Sequence, residues 1–239
     1  MSVAYGENGG RLYDAVFLDV DGTLLWTDLD VEGYVEDLAP YTRNGDLTVE
    51  RAWGPVWKRK SLHRHIEENI EHRTEEDLAG FRRRNAGITA SALGIDAPVE
   101  VLTEMAERRI SFNPYPESEM VMEELLAMGC RLYVVSNWDL LLGDVLEDLG
   151  WMDYFGAVVA SAVVGIEKPD CGIYEEALRI SGSPKHRTVM VGNDPVTDIR
   201  GAASCGIDAV MIDRKGNDQA HEAKATLPDL NALPSLVRG

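Results

Sequence analysis

Positive charge is what this 239-residue chain has least of: 23 Lys and Arg stand against 41 Asp and Glu, a formal net charge of −18. That shortage argues against non-specific binding to nucleic acid or to an anionic membrane, since both need a positive surface. It also sets a condition on any anionic ligand, which must find a local cation against an unfavourable overall field. Cysteine is nearly as sparse. Cys130, Cys171 and Cys205 are scattered, in no metal-ligand spacing, and each lies in or beside an apolar run; free buried thiols are expected rather than a redox pair. No apolar run approaches the ~18 residues of a membrane helix. The first ten residues, Met1 to Gly10, lack the basic start and apolar stretch of a signal peptide. A reduced cytoplasm is the expected location.

What is present is an ordinary globular composition, 45% hydrophobic and 27% charged, in a chain long enough to bury a sizeable core. Residues 1–12 read as a loose leader. After them comes a repeating order of short apolar strand, loop and amphipathic helix. The strand candidates are Ala15–Leu18, Arg131–Val135, Ala157–Ala160, Thr188–Val191 and Ala209–Ile212. Helical patterns fall around Glu119–Met128, Leu140–Leu149, Ile173–Ile180 and Asp198–Cys205. Apolar, β-branched strands alternating with helices predict an α/β fold: a doubly wound, Rossmann-like parallel sheet covered on both faces. Residues 26–112 break that order with a helical pattern. They are expected to form an inserted α-helical cap, with 13–25 and 113–239 as the core. Asp229 to Leu233 is expected to close the core.

In an open α/β sheet, ligands bind beyond the carboxyl ends of the strands. The residues just past each strand therefore define the candidate site. Asp19 and Asp21 follow the first strand, Ser136 and Asn137 the second, Lys168 and Pro169 the third, and Gly192-Asn193-Asp194, then Asp198, the fourth. Singly, each of the last three is an ordinary turn or cap. In order, each at a strand end, they make one chemical unit. A carboxylate at Asp19 suits nucleophilic attack on phosphorus, and Asp21 suits proton delivery to a leaving group and removal from water. Gly22 allows a sharp turn or a close approach of the backbone. Two or three carboxylates suit Mg²⁺, which takes a few carboxylates together with phosphate oxygens and water. Ser136 can donate to a transferring oxygen, and Lys168 balances charge there.

These residues resemble the four motifs of the haloacid dehalogenase superfamily of hydrolases: Asp19-Val20-Asp21-Gly22-Thr23, Ser136-Asn137, Lys168-Pro169 and the stretch from Gly192 to Asp198. The insertion is similar to that family's first, helical cap type. The resemblance implies an aspartyl-phosphate on Asp19, Asp21 as acid/base, and a phosphate site that includes Thr23, Ser136, Asn137 and Lys168. It also implies Mg²⁺ held by Asp19, the Asp21 main-chain carbonyl and an acid of the fourth motif. That motif departs from the family's Gly-Asp pattern. Registered on Asp194, it keeps the acid and replaces the glycine by Asn193; registered on Gly192, it puts Asn193 in the acid's place. Asp194 is favoured as the direct ligand, with Asn193 and Asp198 in support.

The expected activity is hydrolysis of a small phosphorylated metabolite. A 2-haloacid dehalogenase would have the same cap type, but halide displacement leaves no oxygen to protonate and no work for Asp21. A phosphomutase on the same core, or an idle interaction protein, also stays open. The cap offers Lys58-Arg59-Lys60 and Arg82-Arg83-Arg84, with Trp53, Trp57, His63 and His65 nearby, as candidates for substrate contact. Most of these charges are expected on a solvated face. Trp26 either gates the crevice between cap and core or packs the hinge.

Overall fold

Strand β1, Ala15–Leu18, runs near the middle of a six-stranded sheet and is buried at every residue. The computed structural model describes residues 12–42, 47–53, 69–216 and 220–239. With β2 Leu25–Leu29, β3 Ile110–Pro114, β4 Arg131–Ser136, β5 Phe155–Ala160, β6 Thr188–Gly192, β7 Asp208–Ile212 and β8 Ala225–Leu227, the sheet order is β5-β4-β1-β6-β7-β8. Every neighbouring pair in it is parallel. The chain leaves β1 towards β4 and leaves β6 towards β7, so the direction of winding reverses between β1 and β6. That is where an open α/β sheet forms its crevice.

The alternation within β1 shows why the strand is apolar throughout. Val16 and Leu18 join one cluster with Val121, Met122 and Leu125 of the helix Ser118–Ala127. Ala15 and Phe17 join the opposite one with Ile173, Tyr174 and Ala177 of the helix Cys171–Ser181. Each fully buried large side chain contributes about 1.5–3 kcal/mol. Leu230 and Leu233 are fully buried on the first face, and the helix Leu233–Arg238 closes it.

Residues between β2 and β3 form helices Val31–Leu38, Val49–Trp53, Glu75–Leu93 and Val99–Glu107. They surround an apolar cluster of their own, which includes Val35, Leu38, Leu93, Leu102 and Met105. The longest helix starts where Thr74 Oγ1 accepts from Asp77 N at 3.1 Å and ends at left-handed Gly94, an N-cap and a C-cap of the usual kinds.

Two sequence expectations need correction. The helical pattern assigned to 26–112 starts and ends in strand, because β2 and β3 pair antiparallel from Leu25↔Pro114 to Leu29↔Ile110. The chain enters and leaves the insertion side by side, and pairing satisfies backbone groups that would otherwise compete for water. Cys171 and Cys205, expected as free thiols, are joined by a disulfide, and Cys130 is a buried cysteine outside that bond. The two bonded residues sit at helix ends on one face of the sheet, 34 positions apart in sequence with Cα atoms 5.6 Å apart. The bond also removes the cysteine-based argument for a reduced compartment. For a loop of that length, chain entropy puts its contribution at about 3–4 kcal/mol. Cys171→Ser is expected to lower the unfolding free energy by that amount, read as a fall in denaturant midpoint. Reductant should bring wild type down to the variant and leave the variant unmoved.

The leader through residue 11, and the residues Lys58-Arg59-Lys60, Trp57, His63 and His65, lie outside the described residues; so does the side chain of Trp53.

Candidate active site

Asp19 follows β1 directly, and its N–H still donates to Val191 O of β6 at 2.9 Å. The nucleophile candidate is thus fixed by the sheet before the loop begins. The loop then closes on one acceptor, Val20 O, which takes the amides of Thr23, Leu24 and Leu25. Gly22 has φ +81°, and a Cβ there would collide with the Asn193 carboxamide. Only glycine meets both demands without strain.

Four loops converge on Asp19. Ser136 Oγ, at the end of β4, donates to Asp19 Oδ1 at 2.8 Å. Lys168 Nζ donates to the same oxygen at 2.7 Å and to Asp198 Oδ1 at 2.5 Å. Thr23 Oγ1 lies 3.5 Å from Asp19 Oδ2 and 3.3 Å from Asn193 Oδ1. Asn137 braces the lysine loop, donating from Nδ2 to Lys168 O at 2.9 Å and accepting from Lys168 N at 2.7 Å. Asp21 accepts from Thr27 N at 2.7 Å through Oδ1, which aims its carboxylate from the same loop.

Asp19, Ser136, Lys168 and Asp198 are all buried. Burial pulls the Lys168 ammonium towards the neutral form, but the charges of Asp19 and Asp198 outweigh it and raise its pKa. Burial pushes the Asp198 carboxyl up, against the pull of Lys168. Lys168 is therefore favoured as a cation between two acidic side chains, Asp19 and Asp198. Asp198 accepts from Asp194 N at 2.9 Å through its other oxygen, and so holds the fourth loop as well as the lysine. The third loop also lies close to the helix that follows the fourth, since a Cβ added at Gly201 would come 3.1 Å from Pro169 Cα.

The two registers of the fourth motif have separate structural consequences. Asn193 faces the first loop through Thr23 and Gly22. Asp194 is the N-cap of the π-helical turn Pro195–Arg200, its Oδ1 accepting from Val196 N and Thr197 N at 2.8 and 2.7 Å. Both line the same cavity as Asp19, Asp21 and Asp198. The hard oxygen donors around Asp19 include these carboxylates and the Asn193 carbonyl, a set suited to a hard divalent cation. Among the described residues no three acidic, His or Cys side chains form a ready-made cage.

The cavity measures about 530 Å³ and runs from Asp19 up to the inserted helices, a size suited to a small metabolite. Leu29, Ile110, Phe112, Trp138 and Leu141 give it an apolar wall. Of the basic cap stretch, Arg82 reaches the cavity, held by Glu107 at 2.8 Å and by buried Asp139 at 3.4 Å. Arg83 and Arg84 are exposed. Trp26 lies on β2, 40% exposed, against Tyr115 at 5.1 Å between ring centroids. It does not line the cavity, so the hinge-packing reading describes its position.

Arg214 was not legible as a site residue. It stacks on Tyr115 with its guanidinium carbon 3.4 Å from the ring centroid, pairs with Glu117 at 2.7 Å and donates to Thr23 O at 2.8 Å. Its signal is spatial only, because 191 positions separate it from Thr23. Arg214→Ala is expected to free the first loop and lower kcat by about 10- to 100-fold, with stability reduced by about 1–3 kcal/mol. Steady-state kinetics with a parallel melt would check it; an unchanged kcat removes the positioning role.

Residues 13–206 match the family model described as haloacid dehalogenase-like hydrolase. A glyceraldehyde 3-phosphate phosphatase of Methanothermobacter thermautotrophicus is 30% identical over 233 residues, covering 93% of this chain and 94% of its own. A phosphoserine phosphatase of Thermus thermophilus is 35% identical over 125 residues, 52% of this chain and 49% of its own. Among solved structures, the L-2-haloacid dehalogenase of Xanthobacter autotrophicus superposes with a TM-score of 0.66 at 21% identity, covering 95% of this chain and 99% of that one. At that identity the likeness is one of fold.

Proposed function

Because the chain belongs to the haloacid dehalogenase-like hydrolases, we propose that it is a Mg²⁺-dependent phosphatase acting on a small phosphorylated metabolite through an aspartyl-phosphate on Asp19. One observation carries the choice of reaction within the family. Asp21 stands two residues after the nucleophile, opens on the same cavity, and has its carboxylate oriented by Thr27 N. Displacement of halide from carbon gives such a group nothing to do. Hydrolysis of a phosphate ester uses it twice.

In the first step Asp19 attacks phosphorus, the bond to the ester oxygen breaks, and Asp21 gives its proton to the departing alkoxide. In the second, Asp21 takes a proton from water as the water oxygen attacks phosphorus, and the Asp19–phosphorus bond breaks to free phosphate and carboxylate. Ser136 and Lys168, already on Asp19 Oδ1, stand where the phosphoryl oxygens arrive, with Thr23 and Asn137 holding the loops around them. Lys168 touches two carboxylates of a cavity that also holds Asp21 and Asp194. That excess of negative charge fits Mg²⁺ held by Asp19, the Asp21 carbonyl and Asp194, with Asn193 and Asp198 in support. When bound, the ion offsets repulsion between Asp19 and a phosphate dianion. The two phosphatase relatives support the same reading.

The test is phosphate release from a panel of phosphorylated metabolites, glyceraldehyde 3-phosphate and phosphoserine included, with Mg²⁺ and with a chelator. Metal-dependent release from a narrow set is the expected result; silence from folded protein overturns the reading. On the best ester, Asp21→Asn should slow transfer and hydrolysis of the intermediate by about 10²–10⁴-fold. A wild-type rate in that variant would point to chemistry with no proton to deliver.

A further inference from the structure

The disulfide between Cys171 and Cys205 joins the two segments that carry Lys168 and Asp198. Cys171 stands three residues after Lys168, as the first residue of the helix Cys171–Ser181. Cys205 stands seven residues after Asp198, directly behind the helix Gly201–Ser204, which continues the turn Pro195–Arg200. The bond therefore closes a short circuit. It runs from Lys168 to Cys171, across the sulfurs to Cys205, back to Asp198, and through Asp198 Oδ1 to Lys168 Nζ.

Non-covalent contacts cross the same seam: Tyr174 O–H donates to Thr197 O, and Gly201 packs against Pro169. Lys168 and Asp198 are both buried, and parting them would leave an acidic side chain out of water without its cation. A purely entropic account places the whole effect of a disulfide in the unfolded chain. On that account the folded enzyme turns over equally well with or without the bond. The circuit says otherwise. Without the bond the two segments are free to shift as separate pieces, and small displacements of a group that meets the reacting atoms are costly.

We propose that Cys171 and Cys205 are positioning residues, whose bond holds Lys168 and Asp198 in register beside Asp19, so that turnover responds to dithiol reductants. This rests on the phosphatase reading. Cys171 is the half-buried partner and Cys205 is 6% exposed, so Cys171 Sγ is the sulfur open to attack. A thiolate of the dithiol attacks it, the S–S bond breaks, and Cys205 leaves as thiolate. The second thiolate of the reagent attacks its own sulfur in the mixed disulfide, Cys171 leaves as thiolate, and the reagent ends as a cyclic disulfide. Two electrons and two protons pass from the reagent to the protein, which ends with two thiols.

The test follows the fastest ester of the panel above in Mg²⁺, well below the melting temperature of both forms, before and after dithiothreitol. Thiol titration of an unfolded sample confirms reduction. Reduction is expected to lower kcat by about 3- to 30-fold with KM changed less than about 2-fold. Oxidised dithiothreitol should restore the rate. Cys171→Ser/Cys205→Ser should start at the reduced rate and ignore the reductant. Hydrogen exchange should quicken on reduction in residues 166–171 and 194–205 and stay as before in β1 and β4. Wild-type kcat in the reduced enzyme or in the double variant gives the bond a role in stability alone and overturns the proposal, leaving the phosphatase reading intact. Exchange that quickens evenly over the whole chain overturns it too. If the oxidised enzyme releases phosphate from no ester, the phosphatase reading falls and the proposal with it.

Discussion

Asp19→Asn should lose at least about 10⁴-fold in kcat while folding as wild type does, because removing a covalent nucleophile costs far more than removing a positioning group. An amide in that position cannot attack phosphorus at a useful rate, and no neighbouring group is placed to replace it. Asp21 is turned towards Thr27 N, and Asp198 is held on Lys168 and Asp194 N. The fold has reason to tolerate the change. An asparagine carbonyl still accepts from Ser136, and Lys168 keeps Asp198 at 2.5 Å as a partner. The stability change is expected within about 1–2 kcal/mol. Phosphate release and a thermal melt on one preparation would check both halves. Labelling by beryllofluoride gives an independent readout, since a chain that lacks the aspartate cannot take up the phosphoryl mimic there. Residual activity above a hundredth of wild type would move the nucleophile elsewhere.

The core of the site is legible in the sequence because its signals are local and repeated. Asp19 follows four apolar residues that are buried on both faces of the sheet, Ser136 ends β4, and Asp194 stands two residues past β6; Lys168, expected directly after the third strand, follows β5 only after the short helix Ser161–Val164. Strand ends converge in a parallel sheet, so reading the residues past each strand amounts to reading one rim. The parts that stayed hidden depend on contacts between distant segments. Arg214 reaches Thr23 across 191 positions, and Asn69 reaches Ser161 across 92; neither lies in a pattern that periodicity or spacing can report. The disulfide was missed for a related reason. Cys171 and Cys205 each look like apolar filling in their own helix, and only the packing of those helices on one sheet face brings them together. Strands β2 and β3 are not legible because their middle residues are exposed in β2, exposed or half-buried in β3, and mixed in polarity. Only the partner strand makes them strands.

Lys168→Met is the change with the largest expected combined effect, because one ammonium serves both stability and chemistry. Its Nζ stands between Asp19 Oδ1 at 2.7 Å and Asp198 Oδ1 at 2.5 Å, with 2% of the side chain exposed. Removing it leaves two carboxylates facing each other out of water, and breaking a buried pair in this way costs about 3–5 kcal/mol. Turnover should fall by about 10³-fold or more, since the charge proposed to meet the phosphoryl oxygens is lost at the same stroke. A single variant cannot separate these effects, but a pair can. In the double variant Lys168→Met/Asp198→Asn, one of the two stranded charges is gone, and the asparagine carbonyl still accepts from Asp194 N. The double variant should therefore recover about 1–3 kcal/mol of the stability lost by the single one, a coupling typical of direct contacts, while its turnover stays low. Denaturant melts in chelator, with phosphate release measured in Mg²⁺, give both numbers. If Lys168→Met melts like wild type, the buried carboxylates do not depend on the ammonium as their geometry implies. If the double variant regains turnover along with stability, Lys168 is a scaffold for Asp19 and the phosphoryl contact assigned to it falls.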